Sequence, residues 1–230
     1  MGAYWGPQKW WQNKTLGIIT DGLFFNLDAA NPSSYSGSGT VWYDISGNNR
    51  HATITNVSYS SENGGVMLYS GTSSAYLGNP SVPNPQFTVS AWVYDTSNVT
   101  NSRAIIGKIY SHLFRVDSNS EGGNLSCFVW INGNSEPRLS TPWTKNSWTN
   151  VAYTWNADGN FRIYVNGILR DYSISRNGTW SDGGQSLYVG SDVFGNNWIG
   201  KIAQACMYTR SLSDSEILYN YNALKGRYGL

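Results

Sequence analysis

The chain holds fourteen acidic residues, two histidines and two cysteines, the first groups to consider for acid–base or nucleophilic chemistry. Cleaving a glycosidic bond takes two carboxyl groups facing one cleft, which on a strand means acids at alternate positions. No such run occurs. Asp28, Asp44, Asp95, Asp117, Asp158, Asp171, Asp182 and Asp192 are scattered over segments that read as turns. His51 and His112 are far apart, with no Ser or Cys motif beside either, and there is no G-x-S-x-G elbow. Cys127 and Cys206 lack C-x-x-C spacing, and Cys127 alternates in phase with Leu125, Val129 and Ile131. Both cysteines are therefore read as free, small hydrophobes. These residues point away from an enzyme.

Binding is the other chemistry on offer. Sugars are held by aromatic faces together with amide and carboxylate hydrogen bonds. Trp198, flanked by Asn196 and Asn197, has that chemistry on a segment expected to be an exposed loop, and Trp180 in "RNGTWSDGG" is a second candidate. A chain with 11 Trp must bury most of them, and Trp92 and Trp148 are assigned to the core. The stretch "VWYDISGNNRHATI", Val41 to Ile54, gathers Asp44, Gly47, Asn48, Asn49, Arg50 and His51. It is read as an Asx/Gly turn between two strand ends, with His51 a packing or surface residue.

These residues need a frame. At 230 residues, with 13% charged and 15% aromatic residues, the composition suits many strands joined by polar turns in one domain. A net charge of +1 gives no footprint for nucleic acid, and there is neither a polybasic run nor a span long enough to insert in a membrane. The first residues lack an apolar core, so no signal peptide is expected. "FTVSAWVY" alternates Phe87, Val89, Ala91 and Val93 against Thr88, Ser90, Trp92 and Tyr94, as a strand does. Asn132-Gly133 and Asn166-Gly167 supply tight hairpin turns. "SLSDSEILYNYNALKG" carries a capping box, Ser213 with Glu216, and Ile217, Tyr221 and Leu224 at helical spacing, with Gly226 able to end the helix. Residues 1–20 break the pattern. They form a Trp-rich N-terminal arm, with Trp5, Trp10 and Trp11, that either folds back or inserts into another subunit, and 21–230 form the domain.

"FTVSAWVY", "WTNVAYTWNADGNFRIYVNGILR" and "LYVGSD…NNWIGKIAQACMYTRSLSDSEI", in that order, resemble laminin-G-like members of the concanavalin A-like superfamily over roughly Asp21 to Leu224. The resemblance implies an all-β fold: an antiparallel two-sheet jelly-roll sandwich with one short C-terminal helix. The opening segment from Ile19 to Gly65 is similar to that of such domains in tailed-bacteriophage virion proteins and some bacterial surface proteins. Those relatives are fibre, decoration or adhesion components. What this implies is a non-enzymatic virion structural protein at the phage particle surface, joined to capsid or tail proteins through the arm, assembled as a homo-oligomer and displaying loops to host glycans. A stand-alone lectin, extracellular or at a cell surface, is the alternative, and a polysaccharide glycosidase or lyase a remote one. No cofactor is required. Calcium is the one cofactor the resemblance admits, with Asp192 the matched acid of a rim loop. One carboxylate beside two amides is a poor calcium set, and a solvated turn is the preferred reading. Where relatives often read Gly-x-Ile-Asp-Glu-Val, this chain has Gly200-Lys201-Ile202-Ala203-Gln204-Ala205, without the two acids.

Overall fold

A computed structural model describes residues 17–82, 85–131, 137–174 and 178–230. Two eight-stranded antiparallel sheets face each other. The first is built from β1 (Leu23–Asp28), β4 (Ser58–Ser60), β5 (Val66–Ser70), β7 (Phe87–Asp95), β12 (Trp148–Trp155), β13 (Phe161–Val165), β14 (Ile168–Ser173) and β16 (Ile199–Tyr208). Its order is β14-β13-β12-β7-β16-β5-β4, with β1 also pairing β16. The second holds β2 (Val41–Trp42), β3 (Ala52–Thr55), β6 (Ser74–Tyr76), β8 (Arg103–Lys108), β9 (His112–Val116), β10 (Leu125–Val129), β11 (Arg138–Thr141) and β15 (Leu187–Val189). Its order is β11-β10-β9-β8-β15-β6-β3-β2. The antiparallel sandwich and its single short helix, α1 (Asp214–Leu224), are as expected. No helix among the described residues is long and apolar enough to cross a membrane.

Alternation explains the layers. Val89, Ala91 and Val93 of β7 enter the central core with Val151, Tyr153 and Trp155 of β12 and with Phe114, Val116, Leu125, Cys127 and Val129 across the gap. The opposite phase of the first sheet is also apolar, because a helix covers it. Trp92 stacks on Tyr228 at 4.2 Å and Tyr221 at 5.6 Å, and Tyr164, Cys206 and Tyr208 pack with Ile217. Trp148 is half-buried against the same layer. The capping box forms as expected: Ser213 Oγ accepts from Glu216 N–H, and the Glu216 carboxylate accepts from Ser213 N–H at 2.9 Å. The chain does not stop at Gly226, however. A 3-10 turn, Lys225–Tyr228, carries it on, and Gly229 at φ 72° ends it.

Asn166-Gly167 makes the expected turn, both residues with positive φ; Asn132-Gly133 lies outside the described residues. Both cysteines are buried and free. The Val41–Ile54 stretch is a turn held by one buried acid. Asp44 Oδ1 accepts from Asn26 N–H at 2.8 Å and Ser46 N–H at 2.9 Å, and Oδ2 accepts from Arg50 N–H at 2.9 Å. His51 Nδ1 accepts from Asp44 N–H at 3.1 Å, a structural role. Trp5, Trp10 and Trp11 of the expected arm lie outside the described residues. Of its last residues, Ile18 and Ile19 pack against the α1 layer, where Ile19 N–H donates to Asn220 Oδ1 at 2.8 Å.

Candidate functional site

The two outer faces of the sandwich differ. Helix α1 covers the first sheet, whereas no α-helix lies on the second among the described residues. Strand alternation still sends large apolar groups out there: Leu113 from β9, Phe128 from β10, and Trp130 just beyond it, which cluster with Ala104 and Ile109. Each sits one residue out of phase with a core residue, Phe114, Cys127 or Val129. Above them lies a hollow of about 450 Å³, walled by Phe194 and Asn196 and rimmed by Arg115, Glu121 and Arg138. Phe194 is 67% exposed, and Tyr110, set edge-on to Trp130, is 45% exposed. Trp130 and Phe128 are the floor; Phe194 is the face that a ligand can reach.

The rim is an ion-pair network anchored on Asp117, which is fully buried. Arg115 Nε donates to Asp117 Oδ1 at 2.9 Å and its Nη2 to Glu121 Oε1 at 2.6 Å. Arg138 Nη2 and Ser126 Oγ both donate to Asp117 Oδ2. Both guanidiniums lie over the Phe128 ring, at 4.7 and 5.2 Å from its centroid. Burial pushes the Glu121 carboxyl up, but hydrogen bonds from Ser118 and Ser102 and the Arg115 charge outweigh it, so it sits below its usual range.

The wall is organised by Asp192. Its Oδ1 accepts from Phe194 N–H at 2.9 Å and Asn196 N–H at 3.1 Å, and Oδ2 accepts from Asn196 Nδ2 at 2.8 Å. Both carboxylate oxygens are thus engaged within their own loop, and no three His, Cys, Asp or Glu gather into a metal-donor set among the described residues. Gly107 of β8 lets this loop lie on the sheet. A Cβ there would come within 2.9 Å of Leu113 Cδ1, 3.2 Å of Asp192 Cβ and 3.3 Å of Ser191 O. Gly107→Val should lift the loop, at a cost of about 1–3 kcal/mol in overpacking. Hydrogen exchange should show it as faster exchange at the Phe194 and Asn196 amides, with β12 unchanged; protection unchanged at those amides would contradict it.

The structure corrects the expected sugar platform. Trp198 is fully buried in the central core. Its backbone N–H donates to Gly190 O at 2.9 Å, and the ring lies inward with no face for a ligand. Trp180 is half-buried, bridges to Ile131 and sits 5.8 Å from Phe87, so it too serves packing. Asn197 is tied to Ser191 Oγ at 2.6 Å and Gly71 O at 3.0 Å. Of the expected residues, Asn196 and Asp192 reach the hollow. Sequence reading missed Phe194, Phe128, Trp130, Arg115 and Arg138. The one available signal was the run from β10 onward, where Phe128 and Trp130 fall in the phase opposite the core residues Leu125, Cys127 and Val129.

The family described as the concanavalin A-like lectin/glucanases superfamily matches residues 69–218. Among solved structures, the binding domain of Paraclostridial Mosquitocidal Protein 1 is similar at 17% identity and TM-score 0.69, covering 89% of this chain and 52% of that one. The binding domain of botulinum neurotoxin DC is similar in two complexes. With rat synaptotagmin II it aligns at 21% identity and TM-score 0.68 over 90% of this chain and 52% of that one. With SialylT it aligns at 19% identity and TM-score 0.68 over the same shares, 90% and 52%. The chain thus spans about half the length of these structures. At such identities the likeness is one of fold. No curated protein matches the chain.

Proposed function

Since the chain belongs to the concanavalin A-like lectin/glucanase superfamily, we propose that it is a non-enzymatic, lectin-like recognition module that binds carbohydrate on the outer face of its second sheet. The observation that carries this is the hollow itself, where an exposed aromatic wall, Phe194, stands over an aromatic floor with guanidinium, carboxylate and amide groups at the rim. Hydrophobic and aromatic surface with a few fixed polar groups is how small-ligand sites are built. The neighbours support the reading, being binding domains, one of them in complex with SialylT. Those partners belong to chains about twice the length of the matched part. Because Asp192 is engaged by its own loop, the proposal needs no calcium.

The setting we propose is a virion surface, with the module held by the Trp-rich arm as a decoration or fibre component and assembled as a homo-oligomer; an extracellular or cell-surface lectin is the alternative. What motivates that setting is the resemblance read in the Ile19–Gly65 sequence alone. Purified protein on a glycan array should give saccharide hits, and Phe194→Ala should weaken the best of them about tenfold, the value of one lost stacking face. Unchanged affinity would remove Phe194 from the site.

A further inference from the structure

We infer that the outer-face site selects uncharged saccharides over acidic ones, an inference that rests on the lectin reading above. The charged groups facing the hollow come from two strands and two connections. They are Arg115 of β9, Glu121 of the β9–β10 connection, Arg138 of β11, and Asp192 of the Phe194 loop. Directly beneath lies the buried Asp117. Two cations stand against three carboxylates, an excess of one negative charge.

Both cations are already paired with carboxylates of the site. A bidentate arginine–carboxylate pair needs two parallel N–H groups on one guanidinium edge. Arg115 spends donors on both Asp117 and Glu121, and Arg138 spends them on Asp117 and Ser126. The N–H groups left over would meet a ligand carboxylate from guanidiniums whose charge is already compensated, so the added attraction is small. The approaching acid would also meet Glu121, which is held ionised by Ser118, Ser102 and Arg115 despite partial burial. The groups left over suit hydroxyls. Asn196 commits its backbone N–H and its Nδ2 to Asp192 and its backbone oxygen to Ala104 N–H, which leaves Oδ1 as an acceptor. The remaining guanidinium N–H groups lie alongside as donors. An acceptor next to fixed donors, under an aromatic face, matches the vicinal hydroxyls and C–H face of a neutral sugar ring.

The test is a titration of the full chain with matched probes: N-acetyllactosamine, its sialylated and sulfated forms, and neutral glucans such as maltohexaose and cellohexaose. At least one neutral probe should bind, and an acidic counterpart at least tenfold more weakly. The neutral affinity should change less than twofold between 50 and 500 mM NaCl, since no charge pair with ligand is screened. Glu121→Gln, a surface change that preserves shape, should narrow the gap between acidic and neutral probes by severalfold. Asp117→Asn should narrow it further where that variant folds. An acidic probe binding as tightly as its neutral partner would overturn the charge argument and leave the lectin reading standing. No saccharide of either kind binding would overturn both.

Discussion

In urea at pH 4, His112→Leu should be about 3 kcal/mol more stable relative to wild type than it is at pH 7. His112 is fully buried between the sheets, and neither ring nitrogen has a hydrogen-bond partner among the described residues. Burial, reinforced by the nearby Lys108 ammonium, holds its pKa down from 6.5 to about 3. Charging a group that is buried without a partner is what the fold resists. The sign follows by linkage. Between pH 6.5 and about 3 the unfolded chain binds a proton that the folded chain refuses, so unfolding becomes easier as pH falls. Each pH unit in that window costs ~1.4 kcal/mol, so the loss at pH 4 is about 3 kcal/mol and is nearly absent at pH 7. Leucine has similar volume and carries no proton, so the variant lacks this slope and keeps the acid response of every other group. Equal pH dependence in the two proteins would show that His112 is protonated, or hydrated, in the folded state.

Asp95→Ala is expected to cost about 3–5 kcal/mol, the penalty for stranding a buried charge. Asp95 is fully buried and Arg103 is 2% exposed; their Oδ2 and Nη2 lie 3.2 Å apart. The same carboxylate accepts from Trp143 Nε1 at 2.9 Å and Ser97 N–H at 2.8 Å, so it ties the β7 and β8 ends to the β11–β12 connection. Arg103 otherwise donates to Asn101 O at 2.7 Å, which satisfies a donor and neutralises nothing. Removing both partners should hurt less than removing one. In a double-mutant cycle, Asp95→Leu with Arg103→Met should recover about half or more of the single-variant loss. A single-variant loss under ~1 kcal/mol would mean that water already reaches the pair.

How much of this was legible in sequence depends on the range of the force involved. Alternation in "FTVSAWVY", the Asn166-Gly167 turn, the Ser213–Glu216 box and the Asp44 turn are local, and all appear in the structure. Trp198 misled because its neighbours Asn196 and Asn197 are polar. Its burial is decided elsewhere: Asn196 O accepts from Ala104 N–H at 2.8 Å and Trp198 N–H donates to Gly190 O at 2.9 Å, pairings remote in sequence or made across the loop. With those bonds made the indole lies inward and Phe194 outside, so the aromatic group at the site is the loop's other ring. Phe128 and Trp130 were hidden differently. A strand with large apolar residues in both phases reads as covered on both sides, and only the packing shows that α1 covers the first sheet while no α-helix covers the second among the described residues. Arg115 and Asp117 are two residues apart, but Arg138 and Ser126 reach them from β11 and β10, so linear spacing announces only part of the network.

The central claim is that the outer face of the second sheet is the ligand face. An amide and indole NMR titration with the best saccharide from the array tests it most directly. Shifts should concentrate at the Trp130 indole and the amides of Phe194, Gly195 and Asn196, and be lost in Phe194→Ala. Shifts centred instead on the hollow between Trp143 and Arg170, with the Phe194 loop silent, would contradict it.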